Sequence, residues 1–223
     1  MGMKTTRKYV GKGLYTVPEV ARIIGAPSST VRNWAGDRPT FVPIISRELS
    51  ADRIITFAEL MELYFVNLFR REGVSMHTIR KAAKAAERRF GTKLPFSVKR
   101  FDTDGRAIFS TLCRFEDNKE IVEDLARAQL VFGEIIKPFF RKLEYGTQMI
   151  ERYWPLEKSG RIVLDPERRF GQPIDAETGV PVDAILTALK AGHGQDEKAV
   201  AFEYEIPVEA VKAAIKYNKS LAA

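Results

Sequence analysis

Y-T-V-P-E-V-A-R-I-I-G-A-P-S-S-T-V-R-N-W, the stretch from Tyr15 to Trp34, reads as two short helices joined by a tight turn. Thr16 stands three residues before Glu19, the spacing of a capping box, and Pro18 falls in the first turn, where its missing N–H costs nothing. Val20, Ile23 and Ile24 recur on one helical face. Gly25 can take the left-handed conformation that closes a helix, and Pro27 stops its continuation. Ser28 or Ser29 offers an N-cap oxygen to the second helix. In that helix Val31 and Trp34 point one way, and Ser29, Arg32 and Asn33 point the other. An apolar back with a small, polar, cationic front suits a helix that enters a DNA major groove. An ordinary helical hairpin has the same apolar spacing, so the rest of the chain must decide.

The chain has 223 residues, enough for one large domain or two or three small ones, and its 45% hydrophobic content can build a core. The net charge of +7 is segregated. Residues 1–93 carry 17 Lys/Arg against 8 Asp/Glu, a net of +9. Residues 94–154 carry 10 of each, and residues 155–223 carry 9 against 11, a net of −2. The positive excess therefore accompanies the two short helices, as an anionic partner requires. The single cysteine, Cys113, excludes an internal disulfide and any multi-thiolate metal site. It fits a reducing cytoplasm. No apolar run is long enough to span a membrane, and M-G-M-K-T-T-R-K lacks a signal core, so a soluble cytoplasmic protein is expected.

Residues 1–14, with Lys4, Arg7, Lys8 and Lys12, read as a basic lead-in arm. After Trp34, residues Gly36, Asp37 and Pro39 make a turn. Phe41 to Ser46 and Arg53 to Ile55 read as two strands of a wing, whose Arg47 and Arg53 read equally as contacts to phosphates or a minor groove and as solvated loop arginines. Thr56 and Glu59 repeat the capping-box spacing and open a helix apolar nearly all round, expected at the centre of the core. Ser75 opens another helix with a basic face of Arg80, Lys81, Lys84, Arg88 and Arg89. His77 reads as a surface or capping histidine.

Residues 14–89 as a whole resemble the winged-helix DNA-binding domain of MerR-type regulators. The resemblance rests on the Tyr15–Trp34 stretch, the wing, T-F-A-E-L-M-E-L-Y-F-V and G-V-S-M-H-T-I-R. It implies contacts to bases and backbone from the second helix and the wing. The candidate DNA-binding residues are Thr16, Ser29, Thr30, Arg32, Asn33, Arg38, Arg47 and Arg53.

Phe96 to Phe101 and Ile108 to Leu112 flank D-T-D-G and read as a β-hairpin, with Cys113 a core thiol in its second strand. Asp117 to Leu143 returns to helical spacing, with Pro138 a kink. Gly146 to Trp154 reads as a strand. Short β segments follow at Ile162–Leu164, Pro173–Ile174 and Val180–Val182, then helices at about Asp183–Ala191, Asp196–Tyr204 and Pro207–Lys219. The runs I-V-L-D-P, F-G-Q-P-I, G-V-P-V and P-V-E-A-V-K-A-A-I-K-Y resemble the family called "domain of unknown function 433". That resemblance implies a homeodomain-like trihelical part and a VapB-type antitoxin, whose toxin would be a PIN-domain ribonuclease.

The expected fold class is mainly α with small β elements (α+β). Three domains are expected: a winged helix-turn-helix over 1–93, a small α+β dimerisation module over 94–154, and a trihelical domain over 155–223. No catalytic constellation is found. G-K-G at 11–13 lacks phosphate-loop spacing, the two histidines and one cysteine are scattered, Asp165-Pro166 reads as a turn, and His193 sits between two glycines. The expectation is a non-enzymatic homodimer without cofactor or metal. It would bind its operator as a repressor and neutralise a toxin. The alternatives are a stand-alone regulator without a toxin partner and a protein-interaction adaptor whose helix-turn-helix is structural only.

Overall fold

The computed structural model describes residues 9–38, 40–45, 47–49, 53–191 and 196–221. The basic arm's Lys4, Arg7 and Lys8, the turn residue Pro39, the wing end Ser46, and His193 lie outside the described residues. The architecture is mainly helical with a small four-stranded antiparallel sheet, as the sequence pattern requires. Contacts divide the chain into two compact units. One comprises residues 15–141 and 145–150; the other comprises 142–144, 151–223 and the described residues of Met1–Leu14.

In the first unit, helices α1 (Val17–Ile24), α2 (Ser28–Trp34), α3 (Phe57–Arg71), α4 (Met76–Phe90), α5 (Lys99–Arg114) and α6 (Lys119–Val131) follow in order. A π-helical segment, Phe132–Ile136, and a short helix α7 (Lys137–Phe139) continue α6. α3 is the axis. Its N-terminus carries the capping box, with Thr56 and Glu59 each bonding the other's backbone. Residues around its whole circumference are buried, from Phe57 and Leu60 to Val66 and Phe69. Aromatic rings close on it: Phe65 meets Phe101 edge-on at 5.7 Å, and Phe69 lies 5.3 Å from Phe109. Each such ring removed from water contributes roughly 1.5–3 kcal/mol before entropy is charged.

The hairpin expected over 94–115 is a helix, α5. D-T-D-G looks like a turn because Asp and Gly favour turns locally. Here Gly105 is buried mid-helix beneath Phe132, where an added Cβ would stand 2.4 Å from Phe132 Cε2 and 2.9 Å from Phe101 Cε2. Close packing of aromatic rings on the bare backbone therefore overrides the local turn preference. Cys113 accordingly lies on α5, half-buried, its thiol 3.9 Å from the Val122 carbonyl. Burial pushes that thiol's pKa up. The kink expected at Pro138 takes the form of the π-helical segment, in which the Lys137 N–H reaches back to the Phe132 carbonyl.

In the second unit, strands β1 (Leu143–Tyr145), β2 (Ile150–Tyr153), β3 (Ile162–Leu164) and β4 (Pro173–Asp175) are ordered β1-β2-β3-β4, with the inner ends of β1 and β2 assigned to the first unit. Val163 pairs with Ile174. The segment expected at Val180–Val182 makes only a bridge from Pro181 to Ile174. Helices α8 (Val182–Ala191), α9 (Glu197–Glu203) and α10 (Val208–Ser220) follow. Their core is Ile185, Leu189, Val200, Ile206, Val211 and Tyr217. Asp196 caps α9 through its side chain. No helix of the described residues is long and apolar enough to cross a membrane.

Gly105→Ala forces Phe132 and Phe101 aside, and overpacking of this kind costs about 1–3 kcal/mol. Urea denaturation reads the loss as a lower midpoint with an unchanged slope.

A second outcome concerns pH. Glu62 of α3 is buried, and its carboxylate accepts from the backbone N–H groups of Phe96 and Ser97 and from the Ser97 hydroxyl. Burial raises its pKa from 4.5 to about 8, against the pull of those donors. The folded pKa lies above the unfolded one, so the folded state binds the extra proton. Its contribution to stability is complete below pH 4.5 and is lost as pH rises towards about 8. Glu62→Gln flattens this slope in urea midpoints measured across that window.

Candidate nucleic-acid interface

α1 and α2 are built as their sequence dictates, with one exception. Thr16 caps α1: its N–H and its hydroxyl both donate to Glu19 Oε2, at 2.6 and 2.7 Å. Gly25 closes α1 at φ 67°. Val31 and Trp34 of α2 are buried, with Val31 wholly covered. The exception is the α2 cap. Pro27 occupies that position without a side-chain bond, and Ser28 is already helical. Proline fixes the φ that a helix entry needs, so a hydroxyl cap is dispensable. Ser29 and Arg32 are exposed, and Thr30 and Asn33 half-buried. The Asn33 Oδ1 oxygen is buried and makes no hydrogen bond among the described residues.

A contact that the sequence does not announce fixes α1. Asn67 of α3 is buried, and its Nδ2 donates to the Ile24 carbonyl at 2.6 Å. This bond satisfies one of the four orphan carbonyls at the helix C-terminus. A lone Asn on an otherwise apolar helix face is the only signal that could have marked it.

The wing is not a strand pair among the described residues. Residues 40–45 are turn and bend, and Ile55 pairs instead with Tyr15 in an antiparallel bridge, with N–H to carbonyl distances of 2.9 Å both ways. The Ile44 N–H donates to the Trp34 carbonyl at 2.9 Å, so the segment folds back on the end of α2. Phe41 and Val42 are exposed, and Arg80 of α4 donates to the Val42 carbonyl at 2.7 Å. The strands expected over Phe41–Ser46 and Arg53–Ile55 are not seen among the described residues, where ties to α2 and α4 take backbone groups that a ladder needs.

The wing arginines separate in role. Arg38 and Arg53 are exposed, Arg53 with φ 54°. Arg47 is ion-paired with Asp37, and its side chain is only 4% exposed. Arg47 therefore clamps the loop from within. The basic face of α4 is thinned in the same way. Arg80 holds Val42, Lys81 pairs with Glu116, and Arg89 lies 3.0 Å from Asp104, whose carboxyl its hydrogen bond holds below the usual range. Lys84, Arg88 and His77 are exposed. The outward cations of α2, the loop after it and α4 thus include Arg32, Arg38, Arg53, Lys84 and Arg88.

The trihelical unit has a different surface. Arg161 binds Asp175 through two bonds, at 2.8 and 3.1 Å, and Asp175 is wholly buried. Those bonds and two from Thr178 hold the Asp175 carboxyl below its ordinary pKa against the opposing effect of burial. Asp165 accepts from the Glu167 N–H and from Arg152, as a turn-former does. On α9 and the following turn, Phe202 is 87% exposed beside exposed Glu203 and Glu205. Among the described residues no group of three His, Cys, Asp or Glu side chains is placed to hold a metal ion.

Residues 162–218, spanning β3 to α10, match the family model described as "Protein of unknown function (DUF433)". The chain as a whole is 27% identical over 228 aligned residues to a protein of Mycobacterium tuberculosis (strain ATCC 25618 / H37Rv) named "Putative antitoxin VapB45". The alignment covers 91% of this chain and 92% of that one. Among solved structures, the crystal structure of Rv2018 from Mycobacterium tuberculosis superposes with a TM-score of 0.72 at 27% identity. The superposition covers 90% of this chain and 96% of the other.

Removal of the Asp37 carboxylate leaves the Arg47 guanidinium enclosed and unpaired. Asp37→Ala is expected to cost about 3 kcal/mol. Asp37→Ala with Arg47→Met recovers part of that loss, because the stranded charge is gone. Chemical denaturation of the two variants beside the wild type measures both steps.

Proposed function

We propose that the chain is the DNA-binding antitoxin of a toxin–antitoxin pair. It acts as a homodimer that represses its own operon and neutralises a PIN-domain ribonuclease in the cytoplasm. The observation that carries this reading is the match, along nine-tenths of both chains, to a protein whose name is that of an antitoxin. The charge division supports a split of labour, with +9 on residues 1–93 and −2 on residues 155–223. The MerR-like first domain meets the operator, residues 94–154 join the protomers, and the trihelical domain meets the toxin. No catalysis is assigned to the chain.

α2 is the reading helix, with Ser29 and Arg32 exposed and Thr30 half-buried beside them. Arg32 fits the bidentate recognition of guanine, and Asn33 that of adenine once its amide turns outward from the position it holds in the free chain. Arg38 and Arg53 take phosphates beside it, with Lys84 and Arg88 of α4 as further backbone contacts. Thr16 contributes at the N-terminal end of α1. Arg47 supports the loop through Asp37.

The first test is co-expression of the chain with the nuclease encoded beside it. Restored growth supports the antitoxin, and unrelieved toxicity with intact operator binding supports a stand-alone regulator. A gel shift on the DNA upstream of the gene is the second test. Affinity should fall with salt by about 0.9 log units per log unit of salt for each phosphate contacted. Arg32→Ala should cost roughly 1–3 kcal/mol on the operator and less on random DNA. An equal loss on both reassigns Arg32 to a phosphate.

A further inference from the structure

α6 and the π-helical turn that follows it present an outward row that no described residue of the chain covers. Glu123, Ala126, Arg127, Leu130, Glu134 and Lys137 are all exposed, at helical spacing. Leu130, at the middle of the row, is 61% exposed. Ala126 on one side and Gly133 on the other keep the surface around it low, and nothing lies within 4 Å of the place a Gly133 Cβ would take. The inner side of the same helix is ordinary core, with Leu125, Ala128 and Val131 buried. The row is therefore a second apolar centre that the fold of one chain leaves open to water.

The charges around that centre are self-complementary. Glu123 stands seven residues before Leu130, roughly 10 Å along α6, and Lys137 stands seven after, just beyond the π-helical turn. Arg127 stands three before and Glu134 four after. A two-fold axis through Leu130 that sets two copies antiparallel brings Glu123 of each against Lys137 of the other, and Arg127 against Glu134. A parallel arrangement would set like charges opposite each other. Glu123 and Glu134 have no ion-pair partner among the described residues. Lys137 has a surface ion pair with Asp102 at 3.3 Å, and Arg127 has a 3.3 Å bond to the Gly73 carbonyl and lies near the Asp124 carboxylate.

We infer that this row is an isologous docking surface for a second copy of the chain, with α6 helices antiparallel about Leu130. The inference deepens the homodimer reading above by naming its surface. Leu130 packs on its symmetry mate between Ala126 and Gly133 of the two chains, and four ion pairs fix the register.

The test is sedimentation of the full-length chain over a range of concentrations, with circular dichroism and thermal melting to verify each variant's fold. The substituted side chains are exposed, so the fold should survive. The wild type should be a reversible dimer. Leu130→Asp sets two carboxylates across the axis and should give monomers where the wild type is dimeric. Glu123→Lys and Lys137→Glu should each weaken the dimer about tenfold, because each converts two attractive pairs into two repulsive ones. The double variant restores opposite charges and should return to within about threefold of the wild type. A wild type that stays monomeric at every concentration overturns the dimer itself. A dimer that all four variants leave unchanged overturns only the surface. A double variant no better than the singles overturns the antiparallel register.

Discussion

The first unit depends on three buried polar side chains carried by one apolar helix. Glu59, Glu62 and Asn67 are each 5% exposed or less on α3. Each reaches a different neighbour: Glu59 accepts from the Glu48 N–H, Glu62 from those of Phe96 and Ser97, and Asn67 donates to the last carbonyl of α1. Buried polar groups are costly unless satisfied, so each fixes its partner segment in one register where apolar contact alone would tolerate sliding. The loop before α3, the turn before α5 and the end of α1 are thus pinned to one rod. The orientation of α2 follows, because only Gly25, Ala26 and Pro27 separate it from α1.

The same economy explains the loop between α2 and α3. Among the described residues it lacks the ladder bonds of a hairpin, yet several ties define it: Ile44 to Trp34, Arg80 to Val42, Arg47 to Asp37 and Glu48 to Glu59. These bonds commit two arginines to holding shape. The cations that remain outward, Arg32, Arg38 and Arg53, then sit on or beside a braced support. A contact surface gains from this arrangement, since ordering a loose loop on binding would consume part of the binding energy.

The trihelical unit is held by a different device. Asp175 at the end of β4 is wholly buried and receives Arg161 and Thr178, so the strand, the 158–161 turn and the turn after β4 converge on one carboxylate. Arg161 adopts φ 65°, a left-handed conformation that costs a non-glycine residue about a kilocalorie or more and persists only where its surroundings enforce it. Its bidentate bond to a buried carboxylate supplies that enforcement.

The sequence by itself determined the parts whose signals are local. The capping boxes at Thr16 and Thr56, Gly25 at the close of α1, the all-round apolar α3, β3, and the three C-terminal helices were legible because cap chemistry and period 3.6 act within a few residues. Tertiary structure decided whatever depended on partners distant in the chain. D-T-D-G became the middle of α5 because Phe132, 27 residues beyond Gly105, needs the space a Cβ would fill. The wing strands gave way because Trp34, Arg80 and Asp37 claim the loop, and Ile55 finds Tyr15 forty residues upstream. In the candidate DNA-binding set, the types and spacing of Arg32, Arg38, Arg47 and Arg53 were readable in the chain. Which of them faces water was not, because an arginine's role depends on whether folding brings a carboxylate such as Asp37 against it.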